Sequence, residues 1–296
     1  MTTNATRHRR LRLAGACAMT LALAAGAIAL PAAPAYAADQ ITANEQPHFA
    51  YYHLDQARAK GYTGKGVTIA LIDGEVDTSA PELAGATIID KSPCTVHSSV
   101  YSKSHGTAIA SLLVSKTYGV APDATLLTYR TRFEDEGEDA AAGCPVHNGN
   151  GIEENNSLIN RAISDGAQII SISSSDEDFD EATKWAIARA NARGVIVVTA
   201  MGNTASNETD TGLAKWSGVV GVGAIDTTGK VASYSSWGQG TTTAAVGGPI
   251  IVRNYETGNK AAADGTSYST PLIAGFLALA KQKWPNATSN QLLQLM

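Results

Sequence analysis

Short apolar runs alternating with helix-like stretches constrain this chain most. Val67–Ile72 (VTIALI), Ala124–Thr128, Gln168–Ser173 (QIISIS), Val195–Thr199 and Val219–Ala224 read as strands. Each is far too short to cross a membrane. Between them, Gly106–Val114, Leu158–Ser164 and Glu181–Arg193 read as helices, with Ala182, Trp185, Ala186 and Ala190 on one face of the third and Gly194 as its C-cap. A last helix is expected to begin near Ser267 and a short one near Ser289. Strands joined through crossover helices form a parallel sheet covered on both faces, so the fold class is α/β.

The composition fits such a core, with 44% hydrophobic residues and 17% charged. The formal charge is −5. Four of the 22 basic residues (Arg7, Arg9, Arg10, Arg12) lie in the first 37, where there is no acid, so the remainder carries 18 bases against 27 acids. A body that acidic, without a basic run, excludes nucleic acid and anionic membrane surfaces as expected partners.

The amino terminus reads as an export signal. RHRRLR at 7–12 precedes 18 uncharged residues, Leu13–Leu30, then Pro31 and Ala35-Tyr36-Ala37. A basic start, an Ala- and Gly-rich apolar middle and small residues two apart predict a secretory signal peptide, residues 1–37, cleaved after Ala37. An uncleaved anchor is the rival reading, since 18 residues just span a bilayer. The expected mature protein is secreted, with no membrane segment. In that compartment Cys94 and Cys144 are expected to form a disulfide. It would close a loop of about 50 residues, adding about 4 kcal/mol in the chain-entropy account. CxxC, HExxH and P-loop patterns are absent, so no cofactor and no metal are expected. The acidic clusters at 134–139 and 176–181 lack EF-hand spacing and read as solvated loops rather than calcium sites.

Three residues at strand or helix ends carry chemistry together. Asp73 follows the strand Val67–Ile72, His105 precedes Gly106-Thr107 at an expected helix start, and Ser267 stands in DGTSYSTP, also at a helix start. Taken singly, each has a plain reading as a turn former or a helix cap. A serine hydroxyl attacks only when a base takes its proton, and an imidazole base needs a carboxylate to fix its tautomer. Helix-start N–H groups favour a developing anion, and Pro271, expected in the first turn, needs no donor there. The order Asp, His, Ser excludes an α/β-hydrolase, whose order is Ser, acid, His; Gly265-Thr266-Ser267-Tyr268-Ser269 also lacks that fold's second glycine.

With those residues, the sequence resembles the subtilisin-like serine proteases (subtilases) over nearly all of 48–296. Ile72-Asp73-Gly74, His105-Gly106-Thr107 and Gly265-Thr266-Ser267 with Ser269 and Pro271 resemble the family's three motifs. Gly119-Val120-Ala121-Pro122 is similar to a family turn, and Met201-Gly202-Asn203 to the segment carrying its oxyanion asparagine. The resemblance implies a subtilisin-like three-layer sandwich and a secreted serine endopeptidase acting on polypeptides. Ser267 would be the nucleophile, His105 the base, Asp73 its orienter and Asn203 an oxyanion donor. Ser173, Ser174, Ser175 and Gly202 would line the edge on which an extended substrate is laid. The sequence departs from the family pattern at Gly74-Glu75, Ala108, Ser111 and Ser175. Glu75 places a second carboxylate near Asp73, where it would perturb the histidine pairing or bind a cationic substrate group. The loop Leu112–Tyr118 is too short to carry over the family's tight calcium site. These departures suggest an alternative, a secreted subtilase-fold binding protein without catalysis. A third reading is a processing protease resembling the mycosins of mycobacterial secretion systems, which also have little chain before the catalytic domain. The catalytic domain is expected over 48–296. The segment 38–47 is too short for a folded inhibitory prodomain; to inhibit, it would have to lie extended across the cleft.

Overall fold

The computed structural model describes residues 40–92, 98–131, 155–173, 181–207 and 212–295. Residues 1–37, Cys94, Cys144, Ser174, Ser175 and the acidic stretches 134–139 and 176–180 lie outside them. Among the described residues seven strands form one sheet: β1 (Thr68–Asp73), β2 (Thr87–Asp90), β3 (Thr125–Arg130), β4 (Ile169–Ile172), β5 (Ile196–Ala200), β6 (Val219–Ile225) and β7 (Thr241–Val246). The order is β2-β3-β1-β4-β5-β6-β7, and every pairing is parallel. A separate antiparallel pair, β8 (Ile250–Arg253) and β9 (Lys260–Ala263), stands beside it.

Parallel strands buried on both faces read as continuous apolar runs, as IISI of β4 and IVVTA of β5 do. Alternation then assigns faces. Ile69 and Leu71 of β1 join the core with α3 (Val100–Val114) and α6 (Thr266–Lys283), through Ile109, Leu112, Leu272 and Leu277. Ala70 and Ile72 point the other way, to α4 (Asn155–Ser164) and α5 (Glu181–Ala192), through Leu158, Ile159, Ala186 and Ile187. The result is a three-layer α/β sandwich, helices covering both faces of the sheet.

Several local expectations change. The helix expected from Gly106 starts six residues earlier, because the Ser99 hydroxyl accepts the Ser102 N–H as an N-cap. His105 is therefore a mid-helix residue. On α5 the buried residues are Thr183, Ala186, Ile187 and Ala190, the i, i+3, i+4, i+7 stripe. Ala182 and Trp185 are on the surface, where the indole N–H of Trp185 donates to Glu181 Oε2 at 3.0 Å. Pro271 is the sixth residue of α6, not in its first turn. There it removes the donor that would have met the Ser267 carbonyl.

The segment before His48 packs on the body. Residues 43–45 form a 3₁₀ turn, Ile41 is buried, and Gln46 exchanges two hydrogen bonds with the Ile251 backbone, at 2.7 and 3.3 Å. Glu45 pairs with Lys260 at 2.9 Å, and that hydrogen bond holds its carboxyl down at about 2. The described part, from Gln40, is thus not an extended strand over a cleft; its anchors are Pro81, Ile251 and Lys260. Two short helices follow, α1 (Pro47–Tyr51) and α2 (Leu54–Ala59); α7 (Ser289–Leu293) closes the described chain. No helix among the described residues is long and apolar enough to cross a membrane.

Candidate active site

The strand order reverses direction of growth between β1 and β4, and ligands of open parallel sheets gather at the carboxyl ends of strands on such a crevice. Asp73 ends β1 there, and Ser173 follows β4. Asp73 is almost wholly buried (1% exposed), and its Oδ1 accepts the Gly74 N–H and bonds His105 Nδ1, both at 2.7 Å. Asp73 Oδ2 is buried without a hydrogen-bond partner among the described residues.

Close backbone approach creates that bond. A side chain at Gly106 would lie 2.5 Å from the Gly74 carbonyl oxygen and 2.6 Å from that of Glu75. One at Gly74 would run into the Ser102 carbonyl. The departure Gly74-Glu75 is thus accommodated by glycines on both contacting elements. The Glu75 carboxylate itself points to Lys103, at 3.7 Å, and Lys103 also meets Asp77 at 3.4 Å. Both pairs are partly exposed, so each contributes little to stability.

Ser267 is the second residue of α6, with an N–H that has no intrahelical acceptor. Its Oγ lies 3.0 Å from the point where a Gly265 side chain would begin, and Asn203 Nδ2 lies 3.3 Å from the same point. The nucleophile candidate and the amide donor therefore border one small space, kept open by the absence of a side chain at Gly265. The Asn203 amide is oriented by its oxygen, which accepts the Thr266 N–H at 2.8 Å and the Thr266 hydroxyl at 3.0 Å. The same hydroxyl accepts the Gly202 N–H at 3.1 Å. Thr266 thus ties the end of β5 to the start of α6 and fixes which face of the amide donates. Sequence reasoning missed that role, though Thr266 stood inside the quoted motif.

Of the substrate-edge residues, Ser173 is buried and its hydroxyl has no partner among the described residues. Both backbone groups of Gly202 are engaged, the N–H by Thr266 and the carbonyl by the Ser236 N–H at 3.0 Å. No group of three or more His, Cys, Asp or Glu able to hold a metal occurs among the described residues.

A seven-stranded parallel sheet with an Asp–His pair at its switch point and a serine at a facing helix start defines the subtilisin-like α/β class. The profile described as the subtilase family matches residues 64–296. The chain belongs to the subtilase family, a family of serine-type endopeptidases. It is similar to the thermostable alkaline protease of Halalkalibacterium halodurans, 31% identical over 82% of this chain and 64% of that protein. It is also similar to subtilisin E of Bacillus subtilis, 30% identical over 87% of this chain and 68% of that protein. The chain thus spans about two thirds of the length of these relatives. Among solved structures, MycP1 from the ESX-1 type VII secretion system superposes with a TM-score of 0.67 at 24% identity, covering 86% of this chain and 80% of that one. A cold-adapted subtilisin-like serine proteinase gives 0.61 at 25% identity, covering 79% and 81%.

Proposed function

We propose that the protein is a secreted serine endopeptidase whose catalytic residues are Asp73, His105, Ser267 and Asn203. Ser267 Oγ attacks the scissile carbonyl carbon while the His105 ring takes its proton. Asp73 holds the imidazole tautomer and stabilises the cation that forms. The oxyanion receives hydrogen bonds from Asn203 Nδ2 and the Ser267 N–H. Collapse breaks the C–N bond, the departing amine takes the proton from His105, and water then releases the acyl group by the same steps. The substrate is a polypeptide, laid extended along the segment that begins at Ser173. The export signal at 1–37 and the Cys94–Cys144 bridge belong to this reading.

The observation that carries it is the buried 2.7 Å bond between Asp73 Oδ1 and His105 Nδ1, in a chain of this family. Glu75, which had suggested a silent binding protein, is directed to Lys103 and leaves that bond intact. Covalent labelling with a fluorophosphonate tests the proposal, because only an activated serine reacts. Labelling and peptide hydrolysis should both vanish in Ser267→Ala. A folded wild type that neither labels nor cleaves would establish the binding-protein alternative.

A further inference from the structure

The His105 ring is flanked by two tyrosines that the mechanism above does not use. Tyr268, the residue after the nucleophile, has its ring centroid 5.7 Å from that of the imidazole at an interplanar angle of 48°. Tyr101, one turn before His105 on α3, stands at 6.0 Å and 37°. They differ in freedom. Tyr101 is 60% exposed, whereas Tyr268 is 8% exposed.

Tyr268 is fixed from its own backbone outward. Its N–H donates to the Gly265 carbonyl at 3.1 Å, and its Cδ2 lies 3.5 Å from the point where a Gly265 side chain would begin. The ring therefore fills the space running from the glycine that borders Ser267 Oγ to the imidazole. Burial raises the phenol well above its ordinary range, so the group stays neutral beside Asp73 and His105 and brings no competing charge.

A carboxylate at Nδ1 fixes one corner of an imidazole and leaves its side-chain torsions to be set by what packs against the ring. A rigid aromatic wall removes that freedom. We propose that Tyr268 is a positioning residue: its ring, not its hydroxyl, holds the His105 imidazole in the orientation that faces Ser267 while Asp73 holds Nδ1. The proposal deepens the endopeptidase reading and rests on it for its kinetic consequence, though not for its structural one. Misplacement of a reacting group by about 1 Å costs roughly 10²-fold in rate, which sets the scale.

Two measurements test it. On a chromogenic peptide anilide that the wild type cleaves, Tyr268→Leu, which keeps apolar bulk but removes the planar ring, should lower kcat about 10- to 100-fold with KM within about twofold. Tyr268→Phe should restore most of the turnover. In a Ser267→Ala background, the proton shared by His105 Nδ1 and Asp73 should give a slowly exchanging, strongly deshielded NMR signal that persists with Tyr268→Phe and is broadened or lost with Tyr268→Leu. Wild-type kcat in Tyr268→Leu overturns the proposal. So does an equal loss in Tyr268→Phe, which would assign the effect to the hydroxyl. If the wild type cleaves and labels nothing, the endopeptidase reading falls, and the NMR comparison alone decides whether the ring holds His105.

Discussion

Replacing Thr266 by valine exchanges one hydroxyl for a methyl and keeps the branched shape, so it probes what that hydroxyl does. It accepts the Gly202 N–H and donates to Asn203 Oδ1, and the residue is fully buried. In the variant the Gly202 N–H is left buried without an acceptor, costing about 1–3 kcal/mol. For a domain of this size that lowers the melting temperature by about 2–4 °C per kcal/mol. The kinetic effect is separate. Asn203 keeps the Thr266 N–H at 2.8 Å but loses the second bond that fixes its amide plane. Complete loss of an oxyanion donor costs about 10²–10³ in turnover; partial loss of its orientation should cost about tenfold in kcat, with KM nearly unchanged, because the contact forms in the transition state. The decisive assay is a double-variant cycle on peptide hydrolysis. If Thr266 acts through Asn203, Thr266→Val should cost almost nothing further in an Asn203→Ala background. A wild-type kcat in the single variant, or full additivity in the double, would refute the reasoning.

Gly106→Ala should disrupt the site from behind: its methyl would meet the Gly74 and Glu75 carbonyls at 2.5 and 2.6 Å, so stability should fall by about 1–3 kcal/mol in urea melts and hydrolysis should collapse as α3 moves off Asp73. A chain starting at His48 should lose at least about 2 kcal/mol, from the buried Ile41 side chain alone, and gain no activity; a large rise in activity on trimming would restore the inhibitory role for that segment. His48 is buried against the Tyr118 carbonyl, and desolvation lowers it to about 4. Its folded value lies below the ordinary 6.5, so the stability it confers is complete above pH 6.5 and is lost as pH falls from there toward 4, amounting to at most about 3 kcal/mol. Urea unfolding of wild type and His48→Phe between pH 7 and 4 should show a shallower acid slope in the variant.

What the sequence disclosed divides along burial. β1, β4, β5 and β6 were legible because strands covered on both faces leave unbroken apolar runs. β2 was not, since an edge strand (TIID) is mostly exposed and carries no such run. TTTAAV of β7 and the β8–β9 pair failed for the same reason: edge and hairpin strands need only one apolar face or neither. The surface of α5 misled because Trp185 looks like core and is held outside by Glu181. At the site, Asp73, His105, Ser267 and Asn203 were readable as motif residues. The hydroxyl of Thr266, the open space at Gly265 and the Tyr268 ring were not, because each matters only through what lies against it.

The docking of the amino-terminal segment also sets a timetable. Gln46 bonds Ile251 across 205 positions, Lys260 reaches Glu45 across 215, and both contacts belong to the β8–β9 pair. The first described residues therefore find their seats only after nearly the whole chain has been delivered. Ordering so long a loop carries its full entropic cost before any contact rewards it. In a chain emerging from its amino end, residues 40–46 stay undocked until residue 260 arrives. The last third of the molecule, not the first, is therefore the clock for completing the fold.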